Sequence, residues 1–238
     1  MKGLLVVLVA TVLLGAGSLA PAVASGSKPK LFPPGSHPYG KSYGQWQARW
    51  HQWFLGIPAS INPVFDETGE RCDVGQSGRV WFSAPIAHLG TTTRSCTISR
   101  GTAVLLVVAA YECSNIEEPP FFGANEAELR ACAAAGFDEV FTGPLTLSVD
   151  GSRPQSVRNF RTQTPVFSFT LPEDNVFGVP GPITATKAVS DGVFVMLKPL
   201  KRGQHSVVMH GEDAFGGVVD QIYNFTVVDE KDGDGDDD

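Results

Sequence analysis

The chain has 238 residues, with 18 Lys and Arg against 25 Asp and Glu and a formal charge of −7. Most of that charge is terminal: residues 229–238 hold seven acids and one Lys, leaving 16 basic and 18 acidic residues from Ser25 to Val228. A near-neutral body without a basic stripe excludes nucleic acid from the expected partners, and the acidic end repels it further.

The N-terminus carries Lys2, an apolar run from Leu4 to Leu14 and small residues ending in Ala22-Val23-Ala24. That pattern predicts a signal peptide over residues 1–24, cleaved before Ser25, and hence a secreted or extracytoplasmic protein. The second apolar run, Ala103–Tyr111, suits a buried strand and is too short to span a bilayer, so no membrane span is expected after cleavage. Residues 25–40 are rich in Pro, Gly, Ser and Lys and read as an extended lead-in.

A helix is expected after Ser42, with Gln45 completing a capping box and Gly56 with Pro58 stopping it. Tyr43, Trp46, Trp50 and Trp53 then share one face. Such a face is either packed on the body of the protein or offered to a ligand, and these four residues are the ligand-binding candidates, for a glycan or cell-envelope polymer. His51, on the same helix, reads as a surface or boundary histidine or as an acid–base group.

Residues 58–78 are turn-rich, and strands are expected at Arg79–Ser83, Ser95–Ser99 and Ala103–Tyr111. A second helix starts at Asn125, with Glu128 as its box partner, and is expected to close at Gly136. Further strands are read at Leu145–Val149, Pro165–Leu171, Val193–Leu197, His205–His210 and Ile222–Val228, with Asp191-Gly192 taken as a turn before the third of these. The pattern predicts a mainly β fold over residues 41–228. Its expected form is a single antiparallel β-sandwich, jelly-roll or Ig-like, with two short helices. Residues 229–238 are expected to form a disordered acidic tail.

Cys72, Cys96, Cys113 and Cys132 are the only cysteines, and in an exported chain they predict two disulfides. Three pairings exist; Cys72–Cys96 with Cys113–Cys132 is preferred because each links adjacent elements.

Catalytic and metal signals are thin. Glu112, Asp138 and Glu139 are the carboxylates that a hydrolase would use, with His51 as a further acid–base candidate. His205 and Met209 fall on one face of a strand, with Met196 on a neighbouring predicted strand and His210 on the opposite face, a loose copper-like set. No cofactor motif is present, and none is expected.

The order of the pieces Tyr43-Gly-Gln-Trp46 to Trp53, Gly75–Gly78 before Val80–Phe82, Glu112–Ser114, Glu128–Cys132, Phe167–Pro172 and Leu197–His205 resembles a family of exported bacterial proteins. Its marks are an N-terminal Tyr-Gly-x-Trp-x-Ala-Arg-Trp-x-x-Trp helix and four cysteines. The resemblance implies a secreted, disulfide-bearing module and brings no activity with it. The expected function is a secreted or cell-envelope binding or structural module; the alternative is a secreted hydrolase acting on a carbohydrate or envelope polymer.

Overall fold

The computed structural model describes residues 29–229. The expected signal peptide, the start of the expected lead-in and residues 230–238 of the expected acidic tail lie outside the described residues. The rest is mainly β, with two sheets and two helices.

Helix α1 runs Tyr43–Gly56, and the predicted capping box is present: the Gln45 amide donates to Ser42 Oγ and the Ser42 amide to Gln45 Oε1. Strands β1 (Val80–Phe82), β2 (Gly90–Ser99) and β3 (Ala103–Ser114) follow. Helix α2 spans Glu126–Val140. After it come β4 (Leu145–Val149), β5 (Gln155–Ser156), β6 (Arg161–Gln163), β7 (Phe167–Leu171), β8 (Ile183–Leu197), β9 (Gly203–Glu212) and β10 (Val218–Val228). The first sheet has the order β1-β3-β8, with β6 and β7 both pairing β8; the second has the order β2-β10-β9-β4-β5.

Two ladders depart from the expected antiparallel pattern. β1 pairs β3 in parallel, and β2 pairs β10 in parallel across its whole length. Between the sheets lies one core that joins Leu106 and Val195 to Leu147, Val207 and Phe225, giving a sandwich-like arrangement. The lead-in lies along the end of β8, where the Phe32 amide donates to the Met196 carbonyl and the Lys198 amide to the Lys30 carbonyl.

The two helices cover opposite faces of the first sheet. Gln47 of α1 donates to Ser190 Oγ and Trp50 packs edge-on against Phe194, so α1 lies over the face of β8 that carries Ser190 and Phe194. Leu129 and Ala133 of α2 pack with Cys113 and Val189 on the other face. The disulfides have the preferred pairing. Cys72–Cys96 ties the loop after α1 to β2, and Cys113–Cys132 ties β3 to α2.

Two turn expectations fail for one reason. Gly136 does not end α2, which continues to Val140; it sits under the Tyr111 ring, where a Cβ has no room. Asp191-Gly192 lies inside β8, where Asp191 pairs with Arg161 and Gly192 leaves space for the Gln47 amide and the Ala109 carbonyl. Both glycines are required by close packing. Gly136→Ala should therefore lower stability by about 1–3 kcal/mol, read as a lower urea midpoint at unchanged slope.

Candidate functional site

One irregularity in β3 sets the site. Val107 pairs Phe194, but the next partners are Ala109 and Val193, so Val108 is an extra residue in the ladder. Side chains alternate along a strand, and a one-residue slip therefore exchanges the faces. Beyond the bulge, Ala110 pairs Gly192 and Glu112 pairs Ser190, on the face that α1 covers. Tyr111 and Cys113 turn toward α2 instead.

Here Glu112 borders a cavity of about 650 Å3 whose walls are mostly apolar, including Trp50, Phe54, Val108, Phe121, Phe141 and Phe177. The loop after β3 folds back, with the Gly123 amide donating to the Ser114 carbonyl and Phe121 stacking on Tyr111 at 5.1 Å. This brings Glu117 within hydrogen-bond reach of Glu112, while Ser114 Oγ donates to Glu117 Oε2 at 2.8 Å. Burial, together with the neighbouring Glu117 carboxylate, holds the Glu112 carboxyl well above the usual range; burial also raises Glu117. The apolar setting and the neighbouring carboxylate both disfavour the charged form of Glu112. Glu112 Oε1 is buried and has no hydrogen-bond donor, and Gln221 Oε1, on another residue of the same cavity, is in the same condition.

His51 also lines the cavity. Only 4% exposed, it packs against Trp50, Phe167 and Phe194. Its Nδ1–H donates to the Gln47 carbonyl at 2.9 Å, and burial pulls its pKa down to about 4. The imidazole is therefore neutral and interior, not a surface or boundary group. At the β9–β10 end His210 bonds Asp220 at 2.8 Å and Glu212 at 3.2 Å, and these hydrogen bonds raise its pKa.

The other candidates are dispersed. Tyr43, Trp46 and Trp50 are buried and Trp53 is half-buried, so the ring face points into the protein and is not an open platform. Each polar tip is satisfied internally: Tyr43 Oη donates to the Phe32 carbonyl, and the Trp46, Trp50 and Trp53 indoles donate to Pro38, Ser83 and Val74 carbonyls. Ring edges of Trp46 and Trp53 reach a second groove of about 450 Å3, rimmed by Arg49 and Arg79. Asp138 is exposed and bound to Arg161, and Glu139 is exposed, both on α2 across the sheet from Glu112. The acid that meets Glu112 is Glu117, which the sequence reading did not select. Its local sign was the Ser114-x-x-Glu117 spacing; its approach to Glu112 depends on the loop. Met196 and Met209 are buried in different sheets, and both ring nitrogens of His205 are engaged, by Asp150 and the Lys201 carbonyl. That set offers no open ligand cluster, because the sulfurs serve the core and the imidazole fixes a turn.

The buried His51 predicts acid sensitivity. Its folded pKa lies below its unfolded value of about 6.5, so the native state binds fewer protons, and stability falls as pH drops from 6.5 toward 4. The full effect is on the order of 3 kcal/mol. The raised carboxyls act in the opposite sense, since their extra native proton is lost as pH rises above the carboxylate range. Urea titrations of wild type and His51→Phe from pH 7 to 4 isolate the histidine: the wild type should lose stability relative to the variant on acidification, and parallel curves would contradict this.

No family model matches the chain, and no curated protein matches it. Among solved structures, the solution structure of Amebosin is similar over 58% of this chain and 96% of that one, at 8% identity and a TM-score of 0.22. A likeness that low carries no argument about fold or function.

Proposed function

We propose that this chain is a secreted or cell-envelope binding module whose ligand is a small, mostly apolar molecule held in the cavity between α1, β3 and the β9–β10 end of the second sheet. The observation that carries the reading is the cavity itself: about 650 Å3, walled by aromatic and aliphatic side chains, with a few polar groups at defined points. That combination is typical of small-molecule sites. Two disulfides support an oxidising, extracytoplasmic setting. Among the described residues no helix is long and apolar enough to cross a membrane.

We further propose that the scaffold is a single jelly-roll or Ig-like sandwich over residues 41–228 and that the chain is a member of the exported bacterial family named above. A core shared by both sheets supports one domain; the parallel β1–β3 and β2–β10 ladders distinguish it from an all-antiparallel sandwich.

The alternative is a secreted hydrolase acting on a carbohydrate or envelope polymer, and its one support is the Glu112–Glu117 pair. Glycosidases hold their two carboxyls about 5–10 Å apart so that the sugar and a water fit between them. Carboxyls within hydrogen-bond reach leave no such gap, which favours binding. A glycan partner has its support elsewhere, in the groove where Trp46 and Trp53 edges meet Arg49 and Arg79.

The test uses N-phenyl-1-naphthylamine, a neutral apolar fluorophore. Saturable one-to-one binding is expected, weakened about tenfold or more by Ala110→Phe, which puts a ring into the cavity. Absence of saturable binding, or binding indifferent to Ala110→Phe in a folded variant, would contradict the reading. Release of reducing ends from an envelope polysaccharide, lost in Glu112→Gln, would favour the hydrolase instead.

A further inference from the structure

The cavity is one-sided in charge. Among the described residues its ionisable lining consists of Glu112, Glu117, Glu212 and Asp213 with the neutral His51, and no Lys or Arg of those residues lines it. Glu212 has His210 as a partner, but Glu112 has only another acid beside it. Two acceptor atoms belonging to lining residues, Glu112 Oε1 and Gln221 Oε1, are buried without a donor. Buried acceptors left unpaired are costly, so the complement of this site is a group that donates hydrogen bonds. A carboxylate ligand is repelled, and an ester or ketone brings only more acceptors. An ammonium group carries three N–H donors and no acceptor, and it suits both the acids and the faces of the aromatic walls.

Resting on the binding reading above, we propose that the cavity takes a cationic amphiphile, a protonated amine on an apolar body, with the ammonium donating to Glu112 and the body lying among Trp50, Phe54, Phe121 and Phe141. The ammonium lies against the acidic side of the lining, where its charge offsets that of the carboxyl groups. Gln221 supplies a second, neutral acceptor.

Three ligands of one chain length separate the contributions: octylamine, octanol and octanoate, titrated calorimetrically at pH 7. Octylamine should bind at least about tenfold tighter than octanol, with octanoate weakest. Glu112→Gln should weaken octylamine about tenfold or more while leaving octanol within about twofold. If Glu112→Gln does not fold, Glu117→Gln and Gln221→Leu make the same comparison. Octanol binding as tightly as octylamine to wild type, or an amine preference that survives in the folded variants, overturns the inference and leaves the cavity reading standing. Failure of all three ligands and of the fluorophore to bind the folded protein overturns both.

Discussion

The extra residue at Val108 is the constraint from which the site follows. Before it, β3 sends Leu105 and Val107 to the α1 side of the sheet; in an unbroken ladder Glu112 would pair Val189 and face α2. The slip turns Glu112 to the α1 side and sends Tyr111 and Cys113 to the other, where the disulfide and the gap at Gly136 receive them. Nearby groups occupy the backbone at the irregularity. Ser83 Oγ accepts from the Val107 amide, and Gln221 Nε2 lies 3.5 Å from the Val107 carbonyl. β1 ends at Phe82, so it pairs β3 only over Ala103–Leu105. The later part of β3 borders the cavity instead of a neighbouring strand.

Burial handles charge in three ways in this molecule. Arg94, only 2% exposed, has its guanidinium matched by the Asp66, Pro63, Ala84 and Pro85 carbonyls and by Tyr223 Oη, to all of which it donates. It thereby fixes two loops against β2 and β10, with every donor contact made to a neutral oxygen. His51 gives up its charge, because aromatic rings around it offer nothing to an imidazolium. Glu112 and Glu117 do neither completely; they sit together with acceptor capacity unspent. Desolvation without compensation is tolerated in native proteins chiefly where a site uses it.

What was legible locally was also formed locally. The Ser42–Gln45 box, the Asn125 cap and the four-ring face of α1 depend on residues within a turn or two of each other, and all are present. Glycine was the weak point. Gly136 and Gly192 stand in sequence contexts that resemble a helix stop and a turn, but both are small because a Tyr ring or a Gln amide from a distant element presses on them. Two short strands, β5 and β6, carry too few residues to show any alternation.

By itself the sequence determined the class of structure: a mainly β chain with two capped helices, two disulfides and a near-neutral body, because periodicity, capping chemistry and cysteine count act over short range. Tertiary structure decided which way each face points. It turned the tryptophans inward, since every indole N–H found an internal carbonyl, and separated Glu112 from Asp138 and Glu139 by the thickness of a sheet. It also brought Glu117 to Glu112. A bulge and a loop reversal set those positions, and both depend on contacts with strands and helices far away in the chain, where sequence spacing says nothing about distance.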